Sequence, residues 1–231
     1  GSWYVETLTD LVAAAAWAEL ARVESLGGIV AAIEQGALHA ALDDVLAARA
    51  ARLATRRQPL TGLSEFPDIG EEPPPLVPEP AIARLTEPPF PPFGLVRLAQ
   101  EFERQRGRAD MAWRRTGERP VVYLATLGTA AQFTARATFA KNLFEAAGIR
   151  TITGPVTEFA ASGARVACLC SADPVYAEQG AAAAADLRSA GATRVYVAGR
   201  KLDLPGVDEE VGVGSDVLDV LTRALDALGV Q

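Results

Sequence analysis

Few side chains in this 231-residue sequence are of the types that do chemistry. The cysteines are Cys168 and Cys170, and the single histidine is His39. Cys-x-Cys spacing can serve redox or metal chemistry. Within Val166-Ala167-Cys168-Leu169-Cys170, however, residues two apart share one face of an apolar strand, and a buried thiol pair is the plainer expectation. Two thiols make no disulfide scaffold, and one distant histidine completes no zinc site with them. His39 sits in an alanine-rich helical pattern without a neighbouring acid or nucleophile, so no general base is expected there. Ser171 and Asp173 fall where a strand gives way to a helix, and Asp173-Pro174 reads as the helix start. The strongest anion-binding signal is Leu127-Gly128-Thr129-Ala130-Ala131, which joins a strand to a helix N-terminus with its free N–H groups. It lacks the Gly-x-Gly-x-x-Gly pattern and the Walker lysine, and an ordinary turn with Thr129 as a helix N-cap is the plainer expectation. Arg97, Arg104, Arg106, Arg108, Arg114 and Arg115 alternate with Glu101, Glu103 and Asp110, which describes a solvated helix face, with an acidic protein partner as the functional alternative. No Ser-His-Asp set, paired-carboxylate signature or metal cluster emerges.

The elements that would hold these residues alternate in type. Val121–Ala125, Ile149–Thr153, Arg165–Cys170 and Arg194–Ala198 read as strands, and Val211 with Val213 as a last short one. Between and after them, Thr129–Ala147, Pro174–Ala190 and Ser215–Leu228 read as helices, with a turn or short helix over Pro155–Ser162. Such alternation predicts an α/β fold, a flavodoxin-like doubly wound parallel sheet over residues 119–231, with ligands beyond the carboxyl ends of the strands. The loops to inspect are therefore Thr126–Ala131, Cys170–Val175 and Ala198–Pro205. Upstream, residues 7–26 and Gly28 to about Leu53 have helical periodicity, the second interrupted near Gly36. Two helices and a short tail enclose no core alone and need a sheet or a partner. Ten of the 15 prolines fall between Pro67 and Pro92. That segment excludes helix and central strand and reads as a semi-rigid linker, with Leu76, Val77, Ile82, Leu85, Phe90 and Phe93 available to pack on a surface.

Composition narrows the function classes. With 49% hydrophobic and 22% charged residues the chain is globular, and its net charge of −7 argues against broad nucleic-acid binding. No apolar run reaches the length of a membrane span, and the cysteine usage suits a reducing cytoplasm. Gly1 opens with neither Met nor a basic leader and reads as an internal cut.

Several stretches, in this order, resemble one family. Gly1-Ser2-Trp3-Tyr4-Val5-Glu6-Thr7-Leu8-Thr9, Ile29-Val30-Ala31-Ala32-Ile33-Glu34-Gln35-Gly36 and Arg57-Gln58-Pro59-Leu60-Thr61-Gly62-Leu63-Ser64-Glu65-Phe66-Pro67 resemble the end of the barrel domain of methylmalonyl-CoA mutases, most closely their small (beta) subunit. Leu127-Gly128, Thr134-Ala135-Arg136-Ala137, Asn142–Ile149, Ala167–Ser171 and Ala198-Gly199-Arg200 resemble that subunit's C-terminal domain. The resemblance implies the last portion of a (β/α)₈ barrel at 1–66, a proline-rich linker and charged helix at 67–118, and a cobalamin-binding-type domain at 119–231. In cobalamin-binding members an Asp-x-His-x-x-Gly motif supplies the lower cobalt ligand and its orienting acid. Aligned through Leu127-Gly128, the motif falls on Ala130, Gln132 and Ala135. The family's Ser-x-Leu falls near Cys170, Ser171 and Ala172, and its paired glycines near Ala198 and Gly199. The resemblance thus implies a degenerate cobalamin loop. No cofactor, metal or catalytic residue would lie on this chain, and adenosylcobalamin would lie in a large (alpha) subunit with which it forms a heterodimer. The family reaction interconverts methylmalonyl-CoA and succinyl-CoA. Two other readings stay open: a catalytic chain whose active site lies in the rest of the barrel, and a module binding a phosphorylated ligand at the Gly128 loop.

Overall fold

The computed structural model describes residues 1–71, 93–94 and 96–230. The proline-rich segment from Glu72 to Pro92, including Leu76, Val77, Ile82, Leu85 and Phe90, lies outside the described residues. The chain divides into two compact units, Gly1–Arg49 with Val77–Leu95, and Ala50–Leu76 with Val96–Gln231.

Helices α1 (Trp3–Ser25), α2 (Gly28–Glu34) and α3 (Ala37–Ala54) begin the chain. Gly36, at φ 74°, separates α2 from α3 in a left-handed conformation that a Cβ would strain, which is the interruption the sequence marks. Among its described residues the first unit buries little. α1 buries none of its 23 residues, and Trp3 and Trp17 are 91% and 72% exposed. His39 stacks on Phe93, ring centroids 4.3 Å apart.

In the second unit five parallel strands, β1 (Val121–Thr126), β2 (Arg150–Pro155), β3 (Val166–Cys170), β4 (Arg194–Ala198) and β5 (Glu209–Val211), lie in the order β2-β1-β3-β4-β5. Successive side chains of a strand point to opposite faces, so each central strand feeds two cores. Val122, Leu124, Cys168, Cys170, Tyr196 and Ala198 share one with Leu143, Phe144, Leu221 and Leu225. Tyr123, Ala125, Ala167, Leu169, Val195 and Val197 share the other with Tyr176, Ala184 and Leu187. Helices thus cover both faces: α4 (Gln100–Thr116), α5 (Ala130–Glu145) and α8 (Val217–Ala227) on the first, α7 (Ala181–Ser189) on the second.

Three local expectations change. The predicted helix 174–190 is three pieces: α6 (Asp173–Val175), a π-helical turn at Tyr176–Gly180, and α7. Val213 is outside β5 and 87% exposed, because the strand ends at Val211 before Gly212 and Gly214 turn the chain. Arg108 is not on a solvated face. Its guanidinium donates to Asp226 Oδ1 and to the Val230 carbonyl, each at 2.6 Å, clamping α4 to the end of α8. Arg97, Arg104 and Arg106 do lie outward, the first two paired with Glu103 and Glu101 and the third donating to the Asp68 carbonyl at 2.7 Å.

Candidate functional site

The carboxyl ends of β1, β3 and β4 form the edge where a doubly wound sheet takes ligands. Three loops meet there, and in each a side chain of the chain itself bonds to backbone groups.

The first follows β1. Gly128, at φ 77°, turns the chain into Thr129, the N-cap of α5. Gln132 folds back so that its Oε1 accepts from the Thr129 N–H at 2.8 Å and from the Thr129 hydroxyl at 3.0 Å. This cap occupies the Thr129 N–H, one of the donors at the helix start that made the loop an anion candidate. The glutamine carbonyl also lies where a Cβ on residue 128 would be, so a larger residue there would strain the backbone and displace the Gln132 cap. Ala130, Gln132 and Ala135 are all exposed on the first turns of α5. Ala130 carries no acceptor, and the Gln132 oxygen is committed to its own helix.

The second loop follows β3. Ser171 is fully buried, its hydroxyl donating to the Leu127 carbonyl at 2.8 Å. The Tyr176 hydroxyl, also buried, accepts from the Ser171 N–H at 2.6 Å and faces the carbonyls of Leu169 and Ala198, each at 3.0 Å. One phenol therefore serves backbone groups at the ends of β3 and β4 together. Burial pushes its pKa well above the usual tyrosine value, so it stays a neutral hydrogen-bonding group. The backbone twist that delivers it is the π-helical turn, which sequence periodicity does not announce.

Across the edge, Arg136 reaches from α5 to the Ala198 carbonyl, pairs with Asp173 Oδ1 at 2.7 Å, and has its guanidinium carbon 5.8 Å from the Tyr176 ring centroid. A Cβ on Gly199 would meet the Arg136 guanidinium and a Leu202 methyl, so the space beside that glycine is already filled. Asp173 thus starts α6, as expected, and also holds this arginine. The third loop, 199–208, follows β4. The carboxylate of Glu210 accepts from the N–H groups of Lys201, Leu202 and Asp203 at 2.6, 2.7 and 2.8 Å.

Cys168 and Cys170 are free and buried in the first core, and burial pushes the Cys168 thiol far up. No group of three or more His, Cys, Asp and Glu suited to a metal exists among the described residues. Among them, too, no helix is long and apolar enough to cross a membrane. Sequence reasoning drew attention to Ser171, Asp173 and the Gly128 loop. It missed Arg136, Tyr176, Leu202 and Glu210, although an arginine in the otherwise small and apolar face of α5 was a visible signal.

Residues 1–84 match the family model described as methylmalonyl-CoA mutase. The chain is 47% identical over its full length to the methylmalonyl-CoA mutase small subunit of Streptomyces virginiae, covering 38% of that protein. It is 39% identical, again over its full length, to the small subunit of Propionibacterium freudenreichii subsp. shermanii, covering 37% of that one. A stretch making up 32% of this chain is also 39% identical to the methylmalonyl-CoA mutase large subunit of the latter organism, covering 10% of it. The chain therefore spans about two fifths of the length of the small subunits it matches. The resemblance read from the sequence thus extends along the whole chain, which is similar throughout to part of methylmalonyl-CoA mutase small subunits.

Proposed function

We propose that this chain is part of a non-catalytic small subunit of adenosylcobalamin-dependent methylmalonyl-CoA mutase, supporting a catalytic large subunit in a heterodimer. In this reading residues 1–66 are the last portion of a (β/α)₈ barrel, 67–118 a proline-rich linker and charged helix, and 119–231 a flavodoxin-like, cobalamin-binding-type domain without its cobalt-ligating motif. The uncovered apolar side chains of α1 suit a helix that belongs to a larger barrel.

The observation that carries the reading is the state of the sheet edge. The positions of the motif hold Ala130, Gln132 and Ala135. Gln132 is turned onto Thr129, and Arg136 and Leu202 fill the space beside Gly199. These residues do not fit cobalamin: no imidazole is available to cobalt, no acid orients one, and the cleft is occupied by side chains of the chain itself. We therefore assign this chain no catalytic residue and place the cofactor and the chemistry in the partner.

The test uses the full-length subunit, incubated with hydroxocobalamin with and without the large subunit, and measures bound cobalamin after gel filtration. One cobalamin per heterodimer and none on the small subunit alone is the expected result. Stoichiometric cobalamin on the small subunit alone overturns the assignment.

A further inference from the structure

β4 and β5 are parallel neighbours, yet only residues 199–208 connect them, and no helix lies between. A parallel connection ordinarily takes a dozen or more residues and a helix, because the chain must return along one face of the sheet and cover it. Here three side chains of the loop, Leu202, Leu204 and Val207, provide that cover against the second core. Leu204 lies close against Gly180, 3.0 Å from where a Cβ on that residue would sit, and Leu202 fills the space beside Gly199.

Such a short loop is bent sharply. Lys201 and Asp203 are at φ 60° and 45°, left-handed conformations that cost a residue with a Cβ about 1–2 kcal/mol each. Three consecutive N–H groups, those of Lys201, Leu202 and Asp203, converge on one carboxylate. Converging backbone amides of this kind form a concavity that suits an anion. The anion present is the side chain of Glu210, delivered from β5 by the in-register pairing of Val197 with Glu210. Arg200 flanks it, donating to the Val213 carbonyl at 3.0 Å.

We propose that Glu210 is a built-in anionic ligand whose seat in the 201–203 amides latches the β4–β5 loop shut over the sheet edge, occupying a site otherwise shaped for a phosphate-class anion. The carboxylate offsets the strain at Lys201 and Asp203, and the closed loop keeps Leu202 in the space beside Gly199. The device deepens the reading of a chain closed to cofactor and draws its meaning from that reading, but its geometry stands apart from it.

The test is amide hydrogen exchange on the full-length subunit, as wild type, Glu210→Ala and Glu210→Gln, each with and without millimolar inorganic phosphate. The expected result is exchange at Lys201, Leu202 and Asp203 at least 10-fold faster in Glu210→Ala, with β1 and β3 amides unchanged. Phosphate should slow these three amides in the variant and leave the wild type unaffected. Glu210→Gln, which keeps the shape and loses the charge, should show a smaller acceleration. Unchanged exchange in both variants, or acceleration that phosphate does not reverse, overturns the latch. Cobalamin retained by the wild-type subunit would instead overturn the functional reading and leave the latch standing, so the two fail separately.

Discussion

Gln132, which the proposed reading aligns with the cobalt-ligating histidine of cobalamin-binding proteins, spends its side chain on its own helix N-terminus. Gln132→His restores the residue type alone. Without an acid at Ala130, and with Arg136 and Leu202 still beside Gly199, the variant is expected to retain no cobalamin, as read by visible absorbance after gel filtration. Removing the Tyr176 hydroxyl is a harsher change. Tyr176→Phe leaves the buried Ser171 N–H without its acceptor and is expected to cost about 1–3 kcal/mol in urea unfolding. The same phenol also predicts a pH dependence. Burial raises the pKa of Tyr176, and of Tyr196, in the folded chain. Above pH about 10 the unfolded chain releases these protons first, so stability is unaffected below that range and falls as pH rises through it. Thermal melts from pH 8 to 11 check the sign, and rising stability over that interval would contradict it. Glu210 works the other way. Although burial opposes it, the amides of Asp203, Leu202 and Lys201 hold its carboxyl below the usual range. Its contribution is complete at neutral pH and is lost only as pH falls beneath that range.

Elements were legible where one face is apolar and one period dominates. The strand runs at Val121, Val166 and Arg194, and the stop at Gly36, could be read because burial on two faces and a left-handed glycine leave local marks. What escaped depends on contacts between residues far apart in the chain. The π-helical turn brings Tyr176 to the ends of two strands, and nothing within Tyr176-Ala177-Glu178-Gln179-Gly180 specifies those partners. Arg108 looked like one of many alternating charges, yet two of its three acceptors lie 118 and 122 residues away. Arg108→Ala is therefore expected to loosen α4 from α8. Partly exposed on the Asp226 side, the clamp should contribute about 1–2 kcal/mol, visible as faster amide exchange along α4 with little change in β1. Exposed Arg115 offers the control, since its replacement should leave both unaltered. The helix-free crossover from β4 to β5 was equally hidden. Leu202, Leu204 and Val207 show no helical spacing, and their covering role follows from the sheet they close over.

The two units differ in character: one has hardly any buried residue among those described, and the other is built on two cores. Cys168 and Cys170 report on the second. Both thiols are predicted to resist a disulfide reagent such as DTNB in native buffer and to react at the rate of global unfolding, so rapid labelling of the folded chain would contradict the packing. Trp3 and Trp17 report on the first, and acrylamide is expected to quench them in the 231-residue chain and far less in the full-length subunit. A ligand that binds the native state raises stability by an amount set by its concentration relative to Kd. A sheet edge already filled by Arg136, Tyr176, Leu202 and Glu210 has nothing to gain from that linkage. On the proposed reading such a chain would have no separate apo form, so its folding and abundance in the cell are expected to be independent of the supply of vitamin, even while the proposed partner waits for cobalamin.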